Sequence, residues 1–97
     1  MARNSILLVD DEAGIQKSLS AILKEEGFKV AVVGSGEDCL ALLENQAFEL
    51  ILLDIWLPGI DGLQTLEAIK KMKIDSVVVM FGGLAEEVFG MLDNKLV

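Results

Sequence analysis

Apolar residues follow two rhythms along this chain. In SILLVD (5–10) and FELILLD (48–54) they run almost without a break and end in an acid, the pattern of a strand buried on both faces. FKVAVV (28–33) and SVVVMF (76–81) are β-branched runs of similar length and predict two more strands. Between the runs, apolar positions recur every three or four residues. Residues 13–26 place Ile15, Leu19, Ile22 and Leu23 on one helical face with Lys and Glu on the other, and Gly27 stops that helix. SGED (35–38) has the form of a capping box, with Ser35 as N-cap and Asp38 reaching back, and opens a helix through about Asn45. Asp61 is placed to cap a helix from Gly62 to about Met72 that buries Leu63, Leu66 and Ile69, and AEEVFGML (85–92) predicts a short last helix.

Strands alternating with helices predict an α/β fold, a doubly wound parallel sheet with helices on both faces and right-handed crossovers. No repeat or linker divides the 97 residues, so residues 1–97 form one domain. Composition narrows the function more than the fold. The chain is 53% apolar, yet no apolar run approaches the roughly 20 residues that span a bilayer. The first apolar run meets Asp10, Asp11 and Glu12 at once, which makes a poor signal peptide, so a cytoplasmic protein without a membrane partner is expected. A net charge of −8 repels phosphate backbones and argues against direct nucleic-acid binding. Cys39 stands alone, which rules out a disulfide within the chain, and in EDCLALLE it reads as a small buried hydrophobe. Histidine is absent, which removes the commonest general base, the commonest zinc ligand and any Ser-His nucleophile. The chemistry is left to carboxylates.

In an open parallel sheet, functional groups gather beyond the carboxyl ends of the strands, where strand order reverses. Asp10 and Asp11 close the first strand and Asp54 closes the third. With those strands adjacent, as in the order 2-1-3, the acids converge in one crevice. Like charges packed so closely call for a cation, and Mg2+ suits a few carboxylates, waters and phosphate oxygens. Asp54 would then be free to act as nucleophile and form an acyl phosphate. Read alone, DDE also suits a solvated helix start and Asp54 a strand-end cap. It is their joint placement on the first and third strands that points to a site.

These residues carry a resemblance. ILLVDDEAGI followed by LILLDIWLPGIDGLQTL resembles the receiver domain of two-component response regulators. It is most similar to the N-terminal receivers of nitrogen-regulation-type, sigma-54-dependent activators, where D-x-W-L-P-G-x-D-G-L is typical. The similarity covers residues 5–80 and implies a flavodoxin/CheY-like sheet. It implies that Asp10 and Asp11 bind metal, that Asp54 is the phosphoacceptor, and that the main-chain carbonyl of Trp56 is a further Mg2+ ligand. Pro58 and Gly62 would shape the loop after the third strand. The phosphodonor implied is a histidine on a sensor kinase, so a chain without histidine is no obstacle.

The C-terminal part departs from the pattern. Where the family has a Ser or Thr after the fourth strand, this chain has Gly82, followed by Gly83. Neither offers a side-chain donor, so the hydroxyl switch is missing and only backbone N–H remains. Residues 84–97 have room for one short helix, so the sheet is expected to stop at order 2-1-3-4, without the fifth strand, its lysine or the fifth helix. Lys95 follows no strand pattern and reads as a solvated terminal lysine. The apolar edge SVVVMF and the oily segment 81–97, which diverges from the family as in a shortened regulator, predict a homo-oligomer through 76–97. Two functions follow: a phosphoacceptor receiver, or a non-switching interaction module that keeps the acid pocket. A dinucleotide site would need a glycine-rich turn where DDEAG supplies acids.

Overall fold

The computed structural model describes residues 4–82. In chain order the elements are β1 (Ser5–Val9), α1 (Ala13–Glu25), β2 (Lys29–Val33), α2 (Gly36–Leu43), β3 (Leu50–Asp54), α3 (Gly62–Met72) and β4 (Val77–Phe81). The strands form one parallel sheet in the order β2-β1-β3-β4. Val9 pairs with Val33 on one side and with Leu53 on the other, and Asp54 pairs with Phe81. The order reverses between β1 and β3, and the acids at their carboxyl ends share one rim.

One face of the sheet carries the densest core. Leu7, Val9, Ile51, Leu53, Val78 and Met80 pack with Cys39 and Leu43 of α2 and with Leu66 and Ile69 of α3. Burial pushes the Cys39 thiol up to about 11, so it is a packing group, not a nucleophile. On the other face α1 lies less deep than its apolar stripe predicts. None of its residues is fully buried, and Ile22 stays 58% exposed. Hydrophobic periodicity reports which side of a helix turns inward, but not how much partner surface awaits it.

Helix ends follow local chemistry. Ser35 accepts the Asp38 N–H at 3.0 Å, the first half of the predicted box. Both halves close at α3 instead: Asp61 Oδ1 accepts from Gln64 N–H and Gln64 Oε1 accepts from Asp61 N–H. Asp61→Ala therefore costs about 1–2 kcal/mol, read as a lower denaturant midpoint at unchanged slope. An unaltered midpoint would show that the cap carries no stability. Gly27 ends α1 with φ +98°, as its sequence position predicts. Among the described residues, no helix is long and apolar enough to cross a membrane.

Candidate functional site

β1 and β3 deliver their acids side by side because they pair in register and end together. One carboxylate oxygen from each of Asp10, Asp11 and Asp54 lies within 4.8 Å of the others. Asp10 and Asp54 are buried while Asp11 faces solvent, so the cluster has a closed side and an open side. The closed side is held by main chain. Asp10 Oδ1 accepts the Glu12 N–H at 2.8 Å, and Asp54 Oδ1 accepts the Trp56 N–H at 3.1 Å.

Burial raises the Asp54 carboxyl above the ordinary carboxylate value. The Trp56 hydrogen bond opposes that rise, while the negative charges of Asp10, Asp11 and Glu12 add to it. This crowding is what a small divalent cation relieves, and the all-oxygen donor set suits a hard ion that keeps some of its waters.

Behind Asp54 the chain turns through Pro58 and Gly59. Gly59 has φ +71°, a left-handed value that glycine adopts without a Cβ penalty. Pro58 is exposed, whereas Ile55 and Leu57 turn inward and anchor the loop. Gly62 is buried where α3 meets the end of β3. A Cβ there would collide with the Asp54 carbonyl oxygen and lie 2.7 Å from Ile55 Cα. Its own N–H donates to the Ile55 carbonyl at 2.9 Å.

The structure thus brings Asp10, Asp11 and Asp54 together, with Trp56 attached through its N–H and Gly62 seated against the Asp54 main chain. The Trp56 side chain stands 60% exposed. Pro58 shapes the loop from outside the cluster. Gly82 follows β4 next to the Asp54 carboxylate. Lys95, Gly83 and the rest of 83–97 lie outside the described residues.

Contacts that the sequence reading missed also shape the rim. The Gln16 amide donates to the Asp10 carbonyl, and Glu37 Oε2 accepts the Ile60 N–H at 3.3 Å, tying α2 to the loop after β3. No helix-cap or turn pattern announces such bonds: Gln16 reaches back 6 residues to the end of β1, and Glu37 meets a residue 23 positions further on.

Set beside known proteins, residues 6–91 match the response regulator receiver domain. The chain is 39% identical over 82 residues to the transcriptional activator protein PfeR of Pseudomonas aeruginosa, covering 84% of this chain but 27% of PfeR. Among solved structures, NtrX from Brucella abortus superposes with a TM-score of 0.78 at 37% identity, over 87% of this chain and 19% of that one. The response regulator TrrA from Thermotoga maritima, in complex with Mg2+-BeF, gives 0.75 at 37% identity over 78% of this chain and 66% of that one. TrrA has also been solved in complex with the histidine kinase ThkA. The chain spans about a quarter of PfeR and less of NtrX, so the likeness is to one domain of each. A match running through nearly the whole chain, on a parallel sheet ordered 2-1-3-4, makes the chain a member of the response regulator receiver domain family.

Proposed function

We propose that this receiver accepts a phosphoryl group on Asp54 from a histidine of a sensor kinase, with Mg2+ held by Asp10, Asp11, Asp54 and the main-chain carbonyl of Trp56. The observation that carries this reading is the cluster of carboxylate oxygens within 4.8 Å at the ends of β1 and β3. The TrrA complexes with Mg2+-BeF and with a histidine kinase support it by relationship.

In the transfer, an Asp54 carboxylate oxygen bonds to phosphorus as the P–N bond to the imidazole breaks. The electron pair of that bond stays on the imidazole nitrogen, and the product is an acyl phosphate. The Trp56 N–H tethers one oxygen of the carboxylate and fixes its plane. Glu12 N–H does the same for Asp10. Asp10 and Asp54 lie on the buried side of the cluster, and Asp11 keeps the open side attractive to cations. Asp10, Asp11 and Asp54 would hold Mg2+, which would offset their clustered negative charge and that of the phosphoryl group. The net charge of −8 supports a chain that does not itself bind nucleic acid, and a cytoplasmic setting fits a kinase-fed phosphoacceptor.

The test is incubation with acetyl phosphate and Mg2+, followed by intact mass. We expect a single phosphoryl adduct that EDTA prevents, with Mg2+ affinity about tenfold or more lower in Asp11→Asn. Unchanged affinity in that variant refutes the pocket.

One observation favours a second reading. Among the described residues β4 is an edge strand of the sheet, with Val77 exposed, and Gly82 supplies no hydroxyl. An apolar edge recruits other chains, so a non-switching module would act as a homo-oligomer through 76–97. Its marks are Mg2+ binding without any adduct, and a dimer by light scattering.

A further inference from the structure

The loop after β3 is held firmly at its start. Asp54 Oδ1 accepts the Trp56 N–H, and Ile55 and Leu57 are buried. Further on, Pro58 and Gly59 are exposed and Ile60 is half-buried, so the core alone does not fix them. The first turn of α2 meets them instead. Glu37 Oε2 accepts the Ile60 N–H at 3.3 Å. The same carboxylate lies over Gly59, where a Cβ would stand 2.5 Å from Oε2 and 3.2 Å from Cδ. One residue before Glu37, a Cβ on Gly36 would stand 2.8 Å from Ile60 Cγ1 and collide with Thr65 Oγ1. Thr65 is fully buried, and its hydroxyl donates to the Asp61 carbonyl at 2.8 Å. Two bare backbones, at Gly36 and Gly59, let α2 close on the loop, and Glu37 is the charged group which that approach sets on it.

An acid at a helix start is ordinary by itself, because the macrodipole favours it. Glu37 and Asp38 share the first turn of α2 and the same charge, yet the loop bonds to Glu37. That bond spans 23 residues of sequence and joins the helix after β2 to the loop after β3. With the Trp56 N–H fixed on Asp54 and the Ile60 N–H fixed on Glu37, the loop is pinned on both sides of the Trp56 carbonyl. Groups that orient a ligand from behind govern metal affinity nearly as strongly as the ligands do.

We propose that Glu37 is a positioning residue of the metal site: its carboxylate oxygen holds the Ile60 N–H so that the loop presents the Trp56 carbonyl to Mg2+. Its role is reach and hydrogen-bond acceptance, not charge. It rests on, and deepens, the reading that Asp10, Asp11, Asp54 and the Trp56 carbonyl hold the ion.

Substitutions separate reach from charge. Glu37→Gln keeps the length and an acceptor oxygen but loses the charge. Glu37→Asp keeps the charge but is one methylene shorter, and Glu37→Ala loses both. Asp38→Ala removes the neighbouring charge and leaves the bond. Amide exchange of Ile60, followed by NMR in EDTA, reads the bond without metal. It should quicken by about fivefold or more in Glu37→Asp and Glu37→Ala, and keep the wild-type rate in Glu37→Gln and Asp38→Ala. A Mg2+ titration is followed through Trp56, the single tryptophan. Affinity should fall by about tenfold in Glu37→Asp and Glu37→Ala, the low end for residues that orient metal ligands, and hold in Glu37→Gln and Asp38→Ala.

Wild-type affinity in Glu37→Asp with a loss in Glu37→Gln makes charge the cause and overturns the proposal. An equal loss in Asp38→Ala does the same. Faster Ile60 exchange at unchanged Mg2+ affinity refutes it too, since the bond then holds the loop without serving the ion. Thermal melts show which variants fold, and Glu37→Gln against Glu37→Asp carries the test if Glu37→Ala does not. Equal Mg2+ affinity in the wild-type chain and every variant sinks the role of Glu37 alone. A wild-type chain that binds no Mg2+ overturns the metal reading and this proposal together.

Discussion

Asp54→Asn is expected to abolish the phosphoryl adduct while making the metal-free chain more stable. The amide keeps the shape of the carboxylate and can still accept the Trp56 N–H, but it has no anionic oxygen with which to attack phosphorus. Stability moves the other way because the native site is a poor place for a negative charge. Burial raises the Asp54 carboxyl, and the charges of Asp10, Asp11 and Glu12 add to that rise. The folded chain therefore holds the Asp54 proton more tightly than the unfolded chain does. The stabilisation from this group is complete below the unfolded carboxylate value, about 3.9, and is lost as pH rises through the raised folded value. Asparagine undergoes no such loss. Thermal melts in EDTA should show the wild-type midpoint falling relative to the variant as pH climbs from about 4 to 7. Added Mg2+ should raise the wild-type midpoint more than that of the variant. An adduct of wild-type yield in Asp54→Asn would place the acceptor elsewhere, and parallel pH profiles would deny the charge crowding.

Gly62→Ala is expected to destabilise the fold by about 1–2 kcal/mol, lowering the thermal midpoint by roughly 5–15 °C. Two effects compete. Alanine has the better helix propensity, worth about 0.5–1 kcal/mol over glycine. Against that, its Cβ would collide with the Asp54 carbonyl oxygen and lie 2.7 Å from Ile55 Cα and 3.0 Å from the Ile55 carbonyl oxygen. These are main-chain atoms of β3 and its exit, so no side chain can rotate to make room, and overpacking costs about 1–3 kcal/mol. Crowding wins. The strand end must shift, and Asp54 moves with it, so adduct formation should slow along with the loss of stability. A midpoint equal to or above wild type would show that α3 can back away from β3 freely.

The two substitutions probe different ways in which residues were legible. The runs ending at Asp10 and Asp54 identify strands and place both acids at strand ends, because alternation and run length are properties of neighbouring residues. Asp61 and Ser35 announce helix starts for the same reason, since a cap bonds within its own first turn. Gly62 was legible as a loop-shaping residue only through the family resemblance. Its physical reason, a helix start pressed onto the carbonyl of the acid, belongs to the packing of α3 on β3. The reciprocal box expected at Ser35 closes at Asp61 and Gln64 instead, where a longer amide side chain bonds the cap main chain.

By itself, then, the sequence determined the alternation of strands and helices, the caps, and a set of chemically able residues confined to carboxylates. Those follow from local sterics, local hydrogen bonds and composition. Only the tertiary structure decided that β1 and β3 are neighbours with their acids within 4.8 Å, that α1 stays half covered, and that Gln16 and Glu37 brace the rim. It also decided that Asp54 lies between two glycines. Each of these depends on which distant backbones come within contact distance, and that is set by strand register and helix packing, not by the order of residues along any one segment.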